Sequence, residues 1–274
     1  MVKKQRITTA VATLLTIAYL LPVYWMVATS LKSKSDIFNS PPDLVPSPLS
    51  FDAYAETVFG DGAVWQGILS STIISVPTLI LTMLLAIPAA YGLARFSLKL
   101  TGAIMLLMLG AQMLPSISLA LPLFAIFSEY NLVDTYASLI IANIALALPF
   151  AIVILRPYML NVPQELLDAA RIDGCTTFGS FVRIALPLMR PGLIMAATLT
   201  FVSAWGEFVF GLTLATSDDM QPITVVLNRF VAQFGTQWGN LMAVSTIVAI
   251  PIILIFIFLQ KYVVAGLSEG GVKD

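Results

Sequence analysis

Pro163-Gln164-Glu165-Leu166-Leu167-Asp168-Ala169-Ala170-Arg171-Ile172-Asp173-Gly174-Cys175, running on to Ile184-Ala185-Leu186-Pro187, is the one long polar interruption in an otherwise apolar chain. Its pattern predicts a helix, a turn and a second helix. Pro163 suits the first turn of a helix, where its missing N–H is no loss, and Glu165 and Asp168 then put negative charge near the positive end of the helix dipole. Gly174 supplies the stop, since a residue without Cβ turns the backbone back at least cost. From Thr176 the second helix is expected to carry Phe178, Phe181, Val182 and Ala185 on an apolar stripe, with Arg183 turned outward, and to end at Pro187 and Pro191.

The rest of the chain sets the context of this stretch. Of 274 residues, 58% are hydrophobic and 11% charged, against roughly a quarter charged in a soluble domain. Such a chain is a polytopic membrane protein. A net charge of -1 decides little, because in a membrane protein the placement of charge matters more than its sum. A single cysteine, Cys175, leaves no internal disulfide framework, and the absence of histidine removes the commonest general base and metal ligand. No catalytic, cofactor-binding or metal-binding residue is assigned, and nothing supports a nucleic-acid role.

Six uncharged or nearly uncharged blocks reach the ~20 residues that cross a bilayer, and in lipid each must be helical to satisfy its own backbone. The expected fold is all-α, one transmembrane domain over 1–274, with helices at about 7–31, 67–94, 100–128, 135–156, 191–216 and 240–262 and the polar loop at 163–187. The first block is too long for a cleaved signal peptide and is expected to be a retained helix. Placing the N-terminus in the cytoplasm puts Lys3, Lys4, Arg6, Arg95, Lys99, Arg156, Arg171, Arg183, Arg190, Lys261 and Lys273 inside and leaves Lys32, Lys34 and Arg229 outside. That asymmetry orients the chain with both termini and the 163–187 loop in the cytoplasm.

Residues 33–62, rich in proline and aspartate, are expected to form an outer strap with a short helix near Asp52 to Phe59. Pro77, Pro88, Pro115, Pro122, Pro149 and Pro251 fall within the blocks and invite kinks. Gln112, Asn143, Ser203 and Glu207 are polar at membrane depth and are candidates for the lining of a pathway. For Glu207 two readings stand: a carboxylate that holds the bundle or its partner together, and a lining position. The outer loop 218–239 ends in Phe234-Gly235-Thr236-Gln237-Trp238, aromatic faces beside amide and hydroxyl groups, a combination suited to sugar C–H faces and polar edges. Trp238 alone reads equally well as an interfacial anchor.

Asp168-Ala169-Ala170, three residues, Gly174, nine residues, Ile184, one residue, Leu186-Pro187 resembles the EAA loop of bacterial ABC importer permeases, with Asp168 where the family usually has Glu. Trp205-Gly206-Glu207-Phe208 resembles the Trp-Asn-Glu-Phe stretch of carbohydrate importer permeases, departing at Gly206, and Val264-Ala265-Gly266-Leu267 with the terminal Gly-Val-Lys resembles tails of the second permease in sugar importers. The whole chain resembles the shorter, six-helix partner of the maltose-importer type, with a type I permease core.

The resemblance implies a coupling helix, carried by Glu165, Asp168, Ala169, Ala170, Asp173, Gly174 and Cys175, that enters a cleft of a cytoplasmic ATPase. Either Asp168 or Glu165 would meet an ATPase arginine. It also implies a second homologous permease, a homodimeric ATPase holding ATP and Mg, an extracytoplasmic sugar-binding protein reached by the Phe234 to Trp238 loop, and residence in a bacterial cytoplasmic membrane. No Gly-x-x-x-x-Gly-Lys-Ser/Thr run occurs in the chain, so ATP is expected on another subunit. A permease of the same type for another solute is the nearest alternative. A membrane-embedded enzyme is opposed by the lack of histidine and of paired carboxylates in the spans, and a proton-coupled transporter by the lack of several buried ionisable groups.

Overall fold

The computed structural model describes residues 2–60, 62–96, 99–232 and 235–271, with side chains for 7–60, 62–96, 99–231 and 235–260. The chain is a helical bundle. α1 (Val2–Ser30) leads into a strap containing α2 (Asp52–Thr57). α3 (Ala63–Arg95), α4 (Thr101–Ala111), α5 (Ser116–Glu129) and α6 (Tyr136–Asn161) follow. α7 (Gln164–Ile172) and α8 (Thr177–Ser180) then run through a π-helical turn, Phe181–Ala185, into α9 (Leu186–Leu188). α10 (Arg190–Trp205), α11 (Val209–Leu214), α12 (Ile223–Asn228) and α13 (Trp238–Gly271) complete the bundle. The strands described are two antiparallel two-residue pieces, β1 (Val231–Ala232) and β2 (Gly235–Thr236), in the loop before α13.

Four helices, α1, α3, α6 and α13, are each long and apolar enough to cross a membrane, and two bent pairs raise the number to six. The span expected as one helix over 100–128 is bent by 96° between α4 and α5. The reason lies in Pro115, which caps α5 with extended backbone and has no N–H to carry the helix through. The span expected over 191–216 breaks after Trp205 and resumes as the six-residue α11. Pro187 does not stop the second helix of the polar loop: that helix runs to Leu188, and a 78° bend at Met189 turns it into α10.

α3 and α6 make the most extensive helix pairing, through small residues that let the backbones approach. Ala86 and Ala90 of α3 and Ala151 of α6 are fully buried in a cluster with Leu155, Met159, Leu167, Phe181 and Met189. α10 packs on α3, α6 and α13, whereas α1 leaves the core and touches α13. At the strap end the chain is pinned by polar contacts. Tyr24 Oη donates to the Leu44 carbonyl at 2.6 Å, and Lys32 Nζ donates to the Asp43 carbonyl at 2.6 Å while lying 4.7 Å from the Trp25 ring. α12 wedges between α3 and α11. A Cβ on Gly67 would come within 3.0 Å of Val226 and 3.1 Å of Ile223, and one on Gly211 within 2.4 Å of Pro222.

The tight glycines generate a stability prediction. Gly211→Ala, and Gly192→Ala where a Cβ would sit 2.4 Å from the Tyr158 ring, should each destabilise by about 1–3 kcal/mol through overpacking. Gly110→Ala meets no atom within 4 Å and should be neutral. Apparent Tm values of the purified chain in detergent check the ranking.

Candidate functional site

The polar loop lies at the end of the bundle away from the strap, where α3 finishes at Arg95 and α6 at Asn161. α7 is amphipathic. Leu167 and Ala170 are buried on the bundle, while Glu165, Leu166, Asp168, Ala169 and Ile172 face out. The turn after it is set by Gly174, whose φ of +88° suits a residue without Cβ. The Gly174 N–H donates to the Arg171 carbonyl at 3.0 Å and the Cys175 N–H to the Ala170 carbonyl at 2.9 Å. These two bonds satisfy the last carbonyls of α7 in a Schellman arrangement. Thr176 starts α8, its Oγ1 accepting from the Gly179 N–H at 3.0 Å.

Within α8 and the π turn the expected stripe is half realised. Phe181 and Ala185 are buried, with the Phe181 ring 4.6 Å from that of Tyr91, but Phe178 is 72% exposed and Val182 is also exposed. A π turn rotates successive side chains less far than α-helical spacing assumes, so four positions read at period 3.6 do not stay on one face. The result is an outward surface of Leu166, Ile172 and Phe178 beside Glu165, Asp168 and Asp173, with Ile172 87% exposed. Of the seven residues expected to couple, Glu165, Asp168, Ala169, Asp173 and Gly174 are exposed, Cys175 is half-buried and Ala170 faces the bundle. Asp168 meets residues of its own helix: Gln164 Nε2 donates to its Oδ1 at 2.9 Å, and Arg171 Nη1 lies 3.6 Å away.

The four polar residues at membrane depth do not converge. Gln112 sits at the α4/α5 bend, its Nε2 donating to the Leu146 carbonyl of α6 at 3.2 Å. Asn143 is buried and donates to the Leu139 carbonyl at 2.9 Å, and Ser203 is exposed. Glu207 lies in the break between α10 and α11, where its carboxylate accepts from the Phe210 N–H at 2.9 Å and the Gly211 N–H at 3.2 Å. It therefore caps α11 and meets the N–H groups that the break would leave bare. The Thr224 hydroxyl donates to the Glu207 carbonyl at 2.7 Å and ties α12 to the same break. Among the described residues no hydrogen bond joins any two of these four side chains.

At the strap end, Thr236, Gln237 and Trp238 line a cavity of about 430 Å³ with strap residues Lys34, Phe38, Asp52 and Glu56 and with Asn240. Gly235 has φ +136° in the hairpin. Phe234 lies outside the described residues. Lys34 donates to Glu56 at 2.7 Å and Asn240 Nδ2 to Glu56 at 3.3 Å, so one carboxylate joins strap and hairpin foot. The Lys34 hydrogen bond, helped by Asn240, holds the Glu56 carboxyl below the usual range. This cavity was not legible in the sequence, since its walls come from segments about 180 positions apart.

With that geometry in place, residues 83–269 match the family described as binding-protein-dependent transport system inner membrane component. The chain is 34% identical to the arabinooligosaccharides transport system permease protein AraQ of Halalkalibacterium halodurans, over 92% of this chain and 90% of that protein. It is 35% identical to the trehalose transport system permease protein SugB of Mycobacterium tuberculosis, over 96% of each. A bacterial ABC transporter involved in the import of the acidic polysaccharide alginate contains a chain of similar fold, with a TM-score of 0.79 at 18% identity over 94% of this chain and 96% of that one.

The cap at Glu207 yields a prediction. Glu207→Gln keeps an acceptor oxygen and should leave heat resistance near that of the parent. Glu207→Leu strips the Phe210 and Gly211 N–H groups and should cost about 1–3 kcal/mol for each unpaired group. The surviving folded fraction after a heat step, read by size exclusion in detergent, measures both.

Proposed function

The chain belongs to the binding-protein-dependent transport system inner membrane component family, and from that membership we propose that it is one of two homologous permease subunits of an ATP-driven sugar importer. The observation that carries the coupling part is the helix, turn and helix at 164–188, a protruding unit with an exposed apolar and acidic face held at the end of the bundle. Leu166, Ile172 and Phe178 are too exposed to serve this chain's own core, and as a group they suit the cleft of a cytoplasmic partner. That partner is the homodimeric ATPase that holds ATP and Mg. The lack of a Gly-x-x-x-x-Gly-Lys-Ser/Thr run in this chain supports assigning hydrolysis to that partner. The sugar assignment rests on relatives that carry arabinooligosaccharides and trehalose in their names.

The cation asymmetry supports a cytoplasmic position for the 164–188 unit and both termini. The strap, the hairpin and the cavity between them then face outward, toward an extracytoplasmic sugar-binding protein. Phe234 to Trp238 are the residues of this loop proposed for that contact. Closure of the ATPase dimer shifts α7, and the bundle rocks with it.

Two experiments test the reading. Complex reconstituted in proteoliposomes with its binding protein should take up radiolabelled trehalose or arabinotriose on ATP addition and should ignore glycerol 3-phosphate and methionine. Uptake of either of the last two in place of a sugar overturns the substrate class. A Cβ at Gly174 meets no neighbouring atom within 4 Å, so the main cost of Gly174→Val is the backbone strain of about 1–3 kcal/mol that a β-branched residue suffers at positive φ. It should leave the bundle folded and lower ATP-driven uptake at least tenfold, while Gly174→Asn, which tolerates this conformation, retains most of it.

Orientation is checked by single cysteines in a Cys175→Ser background. Ser47→Cys should react with an impermeant maleimide from outside, whereas Thr177→Cys, at an exposed position of the polar loop, should react only once the membrane is opened. Outside labelling at 177 reverses the assignment.

A further inference from the structure

Arg95, the last residue of α3, reaches across the end of α6 to the start of α7. Its Nη2 donates to the Met159 carbonyl at 2.7 Å and to the Val162 carbonyl, and its Nη1 donates to Gln164 Oε1 at 3.1 Å. A guanidinium has donors and no acceptor. Gln164 must therefore turn its oxygen toward Arg95, which leaves its NH2 group pointing the other way. There Nε2 donates to Asp168 Oδ1 at 2.9 Å. The direction of the glutamine amide is thus set from the membrane helix, and the amide in turn sets the carboxylate. A reciprocal tie, Arg156 Nε to the Leu93 carbonyl at 3.1 Å, fastens α6 to the end of α3.

We propose that Arg95 and Gln164 are positioning residues for coupling, forming a relay that aims the Asp168 carboxylate at a cationic side chain of the cytoplasmic partner. This rests on the reading of 164–188 as the coupling unit. The division of partners around Asp168 fits the role. Both contacts fall on Oδ1: Gln164 Nε2 donates at hydrogen-bond distance, whereas Arg171 Nη1 stands 3.6 Å away with both side chains about half exposed. A contact of that kind contributes little and exchanges easily. A partner's arginine replaces Arg171 without disturbing the bond that fixes the carboxylate. Because the relay starts on α3 and crosses the end of α6, a displacement of Asp168 is passed to the two most closely packed helices of the bundle. Glu165, the other carboxylate on this helix, is exposed, and no relay aims it.

Lysine cannot replace Arg95, since one ammonium does not reproduce a planar fork reaching two carbonyls and an amide. Gln164→Glu separates clamp from relay. It keeps an acceptor for Arg95 but loses the donor to Asp168 and places a like charge beside it.

The test is a double-mutant cycle in the assembled complex in proteoliposomes, reading ATP-driven uptake and the number of ATP hydrolysed per solute. Gln164 is exposed, so its variants should assemble, and assembly is confirmed by co-purification. Gln164→Met, Gln164→Glu and Arg95→Lys should each lower uptake about fivefold and raise ATP per solute, the size expected for one ordinary intramolecular hydrogen bond. Once Asp168 is Asn, the Gln164 variants should add less than twofold. An undiminished effect of Gln164→Met on the Asp168→Asn background, or full coupling in Gln164→Glu, overturns the relay. Asp168→Asn and Gln164→Met both silent while Gly174→Val uncouples overturns the relay alone. Gly174→Val transporting normally overturns the coupling reading beneath it.

Discussion

A break in a membrane helix leaves backbone groups that water cannot reach, and at several helix ends the chain sets one of its few polar side chains against a backbone group. A buried N–H or C=O without a partner costs about as much as a lost hydrogen bond. Glu207 supplies the acceptor where α10 stops and α11 starts. Gln112 bonds the Leu146 carbonyl beside the bend between α4 and α5. Arg95 and Arg156 cover carbonyls where α6 and α3 run out. With charged residues at 11% of the chain, little polarity is left over, and the residues that close helix ends are the same ones that join helices.

This economy explains which features could be read from residue order. The six apolar blocks were legible because a bilayer demands length without charge, and nothing else in a chain of this size produces that pattern. The turn at Gly174 was legible because a helix followed by a positive φ nearly always needs glycine, and the φ of +88° follows from the same rule. The breaks were less visible. Pro115 and the Gly206-Glu207 pair carried a signal, with Glu207 standing three residues before the N–H it caps, yet hydropathy alone runs straight across both. The rotation of Phe178 out of its expected stripe was invisible, since a π turn has no composition of its own.

The candidate site divides the same way. Its local part, the polarity and glycine of 164–175, belongs to one short stretch and shows in the sequence. Its non-local part does not. Arg95 and Gln164 are 69 residues apart, and Glu56 and Asn240 are 184 apart. No periodicity links such pairs, and in the sequence each of the four is one polar residue among others. Gln164 is the sharpest case: in sequence it is one more polar residue at a helix start, while in the fold it lies between a guanidinium and a carboxylate and is fixed by both.

The placement of α7 follows from its size. Nine residues are too few for a helix to persist alone in water, so its geometry is borrowed from what it touches. Burial of Leu167 and Ala170 fixes which face is turned outward, and the Arg95 to Gln164 bond fixes where along the bundle it starts. The second constraint leads back to α3, which at 33 residues extends about 50 Å as one helix. The far end of α3 is tied in turn to the loop before α12, through Gln66 and Ser70 donating to the Asp219 carbonyl at 2.7 and 3.2 Å. One helix, continuous through Pro77 and Pro88, thus has the polar loop at one end and the strap-side loops at the other.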